Sequence, residues 1–169
     1  MSWSRRLLLL SPLALGACGF HPLYSEETAA VDEPALAAIR VLPIPDRLGQ
    51  ELELSLREAL NPHGERTKTL YNLVTTLAQS RADLGIQRDA SSTRGRVDVH
   101  VTITLTDAKS SKVIYTGVAQ STSSFNILTD GYAAQISEED ARTRTVRDLT
   151  VEIRTRLTLV LRNQKKKSA

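Results

Sequence analysis

The chain has 169 residues, 41% of them hydrophobic and 24% charged, with a formal net charge of +3. That length carries one modest domain with a core of its own. So small a charge excess is no nucleic-acid signature, and a single cysteine, Cys18, permits no internal disulfide and no thiolate metal cluster.

Arg5 and Arg6 precede the apolar block Leu7-Leu8-Leu9-Leu10, and small residues lead up to Cys18. A charged start, an apolar stretch of about ten residues and small residues before a cut site make a secretory signal. The stretch is too short to span a bilayer, which takes about 20 apolar residues. Leu15-Gly16-Ala17-Cys18 resembles a bacterial lipobox. That resemblance implies an acylated Cys18 thiol and cleavage by signal peptidase II just before it. An ordinary signal with an incidental cysteine is the plainer alternative. On the lipobox reading residues 1–17 are the signal, and the loss of Arg5 and Arg6 lowers the net charge to +1. Trp3 leaves with them. Residues 18–35 are then the lipidated N-terminus and tether, acidic and without periodicity over 25–34.

Residues 36–163 read as a single domain. Ile39-Arg40-Val41-Leu42, stopped by Pro43 and Pro45, predicts a first strand. Asp46 is placed to cap a helix with its carboxylate. Leu48, Leu52, Leu56 and Leu60 recur every four residues and predict that helix, amphipathic and ending near Asn61-Pro62. Residues 70–77 are rich in aliphatic and β-branched side chains and predict a second strand, continuing irregularly toward Ile86. Residues 88–96 form a polar loop. Val97, Val99, Val101, Ile103 and Leu105 then alternate with Asp98, His100, Thr102, Thr104 and Thr106. This third strand has one apolar and one polar face, as in a sheet covered on one side. Residues 107–112 supply a turn, and 113–124 return as a fourth strand.

Residues 125–135 read as a loop carrying Phe125, Ile127, Leu128 and Tyr132. Four such side chains near a polar strand end either dock a partner or fold back over the end of the core. Ser137 and Asp140 have capping-box spacing, which places the start of a second helix at Ser137 with acids in its first turn. Val146, Leu149, Ile153, Leu157 and Val160 form its core stripe. Residues 164–169, with Lys165, Lys166 and Lys167, make a frayed basic tail. The order β-α-β-β-β-α predicts an α+β two-layer sandwich, with a four-stranded, largely antiparallel or mixed sheet and two helices on one face.

Catalytic motifs are missing from this sequence. It has no Gly-x-Ser-x-Gly, no phosphate-binding glycine loop, no His-Glu-x-x-His and no dinucleotide fingerprint. His21, His63 and His100 share no metal-ligand spacing, and Glu138-Glu139-Asp140 suits a helix start better than an acid/base pair. The expectation is a protein without enzymatic activity, metal or cofactor, acting through its surfaces.

The heptapeptide Cys18-Gly19-Phe20-His21-Pro22-Leu23-Tyr24 matches the Cys-Gly-Phe-His/Gln-Pro-Leu-Tyr opening of the LptE family. The order of elements downstream is similar to that family as well. The resemblance implies an outer-membrane lipoprotein that plugs the β-barrel translocon LptD, assists its assembly and helps deliver lipopolysaccharide to the outer leaflet. It also implies an α/β sandwich with two helices on one face of a four-stranded sheet. Gly19 stands where an aspartate would signal inner-membrane retention in enteric bacteria. The polar sheet face suits a hydrophilic barrel lumen. Lipopolysaccharide phosphates favour arginine and lysine, and Arg88, Arg94 and Arg96 in the predicted loop are the candidates. An ordinary solvated charged loop explains them equally. A lipoprotein of another envelope assembly machine, facing the periplasm without lipopolysaccharide contact, is the alternative to the barrel reading.

Overall fold

The periods 3.6 and 2 divide the chain into β1 (Ile39–Val41), α1 (Arg47–Leu60), β2 (Tyr71–Ile86), β3 (Ser92–Asp107), β4 (Val113–Asn126) and α2 (Gly131–Ser168). The computed structural model describes residues 34–62, 64, 68–86 and 92–168. Cys18, the other tether and signal residues before 34, and Arg88 lie outside the described residues.

The strands form one mixed sheet in the order β1-β2-β3-β4. Alternation in β3 decides its faces. β3 pairs antiparallel with β2 from Tyr71↔Asp107 to Ile86↔Ser92, and antiparallel with β4 from Thr106↔Val113 to Arg94↔Asn126. β1 adds a short parallel edge, Ile39↔Tyr71 to Val41↔Leu73. The parallel pair needs a crossover, and α1 is that crossover.

Both helices lie on the face that carries Val97, Val99, Val101, Ile103 and Leu105. Those five side chains are buried, together with Leu48, Leu52, Leu56 and Leu60 of α1 and Val146, Leu149, Ile153, Leu157 and Leu161 of α2. Each such burial stabilises by roughly 1.5–3 kcal/mol. Among the described residues, core members run from Leu36 to Leu161 and form one continuous cluster. Outward, β3 shows His100 and Thr102 to solvent, beside Thr76, Ala78 and Ser80 of β2 and Gln120, Thr122 and Ser124 of β4. Val74 and Val118 interrupt this face singly. The result is the two-layer α+β sandwich expected from the sequence.

Four local expectations are corrected. Asp46 occupies the N-cap of α1, but at φ 69° its carboxylate makes no cap hydrogen bond; only its backbone carbonyl accepts from Gln50, at 2.9 Å. The second helix starts at Gly131, six residues before Ser137. Asp130 caps it: its Oδ1 accepts the backbone N–H groups of Tyr132 at 2.8 Å and Ala133 at 3.2 Å. Glu138, Glu139 and Asp140 therefore sit beyond the first turn. α2 continues to Ser168, so Lys165 and Lys166 are exposed helical residues and not a frayed tail. β3 begins at Ser92, which moves Arg94 and Arg96 from the expected loop into the strand. With 38 residues α2 is long, yet no described helix is apolar enough to cross a membrane.

The register makes a sharp prediction. Val101 is fully buried and its neighbour Thr102 is exposed. Val101→Asp should prevent folding, because an unpaired buried carboxylate costs several kcal/mol, whereas Thr102→Asp should melt within a few degrees of the parent. Thermal unfolding by circular dichroism separates the two; similar curves would mean the wrong face is buried.

Candidate functional site

The end of the sheet where β3 begins gathers both sets of candidate residues. Gly95 of β3 lies opposite Phe125 of β4, and Arg94 lies opposite Asn126. A Cβ on Gly95 would come within 2.2 Å of the Phe125 ring, so only glycine leaves room for the ring to lie across the strand. Arg81 of β2 covers the ring, its guanidinium carbon 5.5 Å from the centroid. Phe125 is 4% exposed and belongs to the core.

The predicted 125–135 loop is thus divided. Phe125 closes β4. Ile127 packs half-buried against the core and donates its backbone N–H to the Thr93 carbonyl at 3.1 Å. Leu128 follows, 46% exposed, and Tyr132 stands on the first turn of α2 at 75% exposed. Of the two readings given to this segment, folding back over the core describes Phe125 and Ile127, while Leu128 and Tyr132 face solvent.

Arg94 and Arg96 alternate with the inward Gly95 and Val97, and so belong to the outer, polar face. Arg96 donates through Nε to Asp98 Oδ2 at 2.8 Å, and the Thr122 hydroxyl donates to Asp98 Oδ1 at 2.8 Å. The Thr122 hydroxyl first, then Arg96, holds the Asp98 carboxyl below the usual carboxylate range. This Arg96–Asp98–Thr122 group is absent from the sequence reading. The alternation that put Asp98 on the polar face marked it, but its cross-strand partner depends on register. His100 lies one step further along the same face and is exposed.

The acids at 138–140 meet guanidinium groups. Glu138 pairs with Arg142 at 2.5 Å and with Arg81 at 3.4 Å; Glu139 pairs with Arg47 at 2.6 Å, and Asp140 with Arg144. Arg47, Glu51, Gln79, Glu139 and Arg142 also line a small cleft between α1, β2 and α2. Its charges are matched. The group links two helices and a strand.

Among the described residues the geometry gathers surface side chains and ion pairs but no catalytic constellation. The model of one family, LptE: Lipopolysaccharide-assembly, matches residues 36–157, from the residues just before β1 to the middle of α2. The chain belongs to the LptE family. LptE proteins are non-enzymatic and act in lipopolysaccharide assembly. Among solved structures, a candidate lipoprotein from Caulobacter crescentus CB15 matches with 23% identity over 79% of this chain and 97% of its own, at TM-score 0.64. A minor lipoprotein from Acinetobacter baumannii matches with 16% identity over 73% and 94%, at TM-score 0.57. At such identities the likeness is one of fold, and it supports the LptE sandwich. No curated protein sequence matches the chain.

The divided segment yields a paired prediction. Phe125→Ser with Ile127→Ser should destabilise the domain by about 3 kcal/mol or more, as large-to-small core changes do. Leu128→Ser with Tyr132→Ser should leave the denaturant midpoint nearly unchanged. A Phe125/Ile127 variant as stable as the parent would place those side chains outside the core.

Proposed function

We propose that this LptE-family chain is an outer-membrane lipoprotein, lipidated at Cys18, that plugs and helps assemble an LptD-type β-barrel and delivers lipopolysaccharide to the outer leaflet. The observation that carries this reading is the family match across 36–157, joined to the Cys18-Gly19-Phe20-His21-Pro22-Leu23-Tyr24 opening. The outer sheet face supports it. Thr, Ser, Gln and His side chains present hydroxyl, amide and imidazole groups over three strands, chemistry suited to the polar inside of a large barrel. Leu128 and Tyr132 are the docking residues of this reading, and Arg94 and Arg96, with Arg88, its lipopolysaccharide contacts. Gly19 directs the lipoprotein outward. Two or three acyl chains, at roughly 0.8 kcal/mol per buried methylene, hold it in the membrane.

Detergent extraction of outer membranes, capture of the tagged protein and mass spectrometry of its companions should return one large β-barrel, and Cys18→Ser should leave an unprocessed precursor. Recovery of a different envelope machine, with Cys18 acylated, would replace the barrel reading and keep the anchor. Reversing Arg88, Arg94 and Arg96 to Glu should cut lipopolysaccharide binding at least tenfold and make the remainder insensitive to salt, with little change in melting temperature. Reversal of Arg147 and Arg154 on α2 serves as control; equal losses would show that binding follows net charge alone.

A further inference from the structure

The chain has six lysines, at 68, 109, 112, 165, 166 and 167, against sixteen arginines. The topology brings the lysines to one end of the sandwich. The Leu70 carbonyl accepts the Ala108 N–H at 2.9 Å, and Lys112 O accepts the Asp107 N–H at 2.9 Å. Those bonds put Lys68 beside the turn that carries Lys109 and Lys112. α2 runs antiparallel to β4: Arg144 donates to the Ser124 carbonyl at 3.1 Å, Ser121 to Asp148 at 3.3 Å and Arg156 to the Val118 carbonyl at 2.7 Å. From Arg156 the helix rises about 14 Å to Lys165, and from Val118 the strand covers about 17 Å back to Val113. Lys165 and Lys166 thus come level with Lys112.

These lysines differ from seven of the arginines in their partners. Arg47, Arg57, Arg81, Arg96, Arg142, Arg144 and Arg156 all sit in ion pairs. Lys68, Lys109, Lys112, Lys165 and Lys166 are exposed, and none is in an ion pair among the described residues. The Asp107 carboxylate feels the Lys109 charge, but its hydrogen bonds go to its own turn. It accepts the backbone N–H groups of Ser110 at 2.7 Å and Lys109 at 3.0 Å, and the Ser110 hydroxyl at 2.8 Å. Glu58, near the end of α1, is exposed. Flexible ammonium groups gathered at one end repel one another, and an anionic surface relieves that repulsion.

The chain also joins the domain at this end. The Ala38 carbonyl accepts the N–H groups of Leu70 at 2.9 Å and Tyr71 at 3.2 Å, and Pro34 lies four residues before it. Cys18 is sixteen residues upstream of Pro34, a reach of about 55 Å at most. The far end, with Arg94 and Tyr132, is about 44 Å away along β3.

We propose that the lysine end is a membrane-docking surface, which meets the anionic phospholipid headgroups of the leaflet that holds the Cys18 acyl chains. Its orientation rests on lipidation at Cys18; its chemistry rests on the lysines alone. An acyl anchor and a basic patch are the two signals that together hold a protein stably to a bilayer. The outer sheet face and the Arg94 end then stand away from the headgroups.

Residues 34–169, produced without the anchor, should sediment with vesicles of phosphatidylglycerol and phosphatidylcholine in equal parts and not with phosphatidylcholine alone. Reversal of Lys68, Lys109, Lys112, Lys165 and Lys166 to Glu should lower the partition coefficient at least tenfold; their replacement by Gln, which adds no negative charge, should lower it at least threefold. Arg147→Glu with Arg154→Glu should change it less than threefold. Inorganic phosphate at matched ionic strength should not displace the bound protein. Equal losses from the lysine and arginine variants, full displacement by phosphate, or undiminished binding after reversal overturns the proposal. Preference for lipopolysaccharide micelles over phosphatidylglycerol, abolished by the same reversal, would reassign the surface and overturn it too. Barrel capture by the full-length lysine variant keeps the two readings separable. Failure of vesicle binding with barrel capture intact strikes only this proposal, and the converse strikes only the barrel reading.

Discussion

Hydrogen bonding of β3 on both edges is the constraint on which the other elements depend. Because β2 and β4 both take their register from it, the inward set Val97, Val99, Val101, Ile103 and Leu105 fixes which residues of three strands face the helices. Slipping β3 by one residue would put Asp98, His100 and Thr102 beneath Leu52 and Leu149. Burial of that strand face gives α1 and α2 their place, and the same pleat leaves a broad hydroxyl-rich face uncovered. The helices and the proposed lumen-facing surface therefore share one cause.

Much of this was legible in the residues. Alternation over 97–106 specified β3 and its faces, and the leucines four apart specified α1 and its buried side. The misreadings share a physical reason. Ser137 has the side chain and spacing of a cap, but Asp130 offers a carboxylate to N–H groups six residues earlier, and Tyr132-Ala133-Ala134 extends the helix despite its weak apolar period. Gly95 and the charges around it resembled a loop, because local sequence does not show that a phenylalanine thirty positions later lies across the glycine. Which of the two readings holds for Phe125 is hidden for the same reason: its burial depends on β4 pairing with β3, a non-local event. Asp46 has the composition of a cap and a backbone angle that turns its side chain elsewhere.

Arginine and acid placement explains why a chain so rich in guanidinium groups is not a strongly basic surface. Seven arginines are held by carboxylates on α1, α2, β2 and β3, several at i,i+4 spacing along α2. Exposed pairs of this kind stabilise by about 0–1 kcal/mol each. Their larger effect is to match charge locally along the helices, and among the described residues the lysines at the 107–112 end of the sheet are in no such pairs.

Sheet order that repeats chain order has a kinetic consequence. β2, β3 and β4 form a meander, so nearly all strand pairing joins segments adjacent in sequence, and loop-closure entropy is small. The 107–112 turn, closed by the Asp107 carboxylate, can start a zipper that runs outward through both hairpins without any residue before Tyr71. β1 reaches β2 only after α1 has been laid across the sheet, which makes it a late arrival and a three-residue one. The topology thus favours folding toward the N-terminal side. The segment that settles last is the one through which any pull from the membrane would act, so tension on that side would peel away β1 before it disturbed the meander.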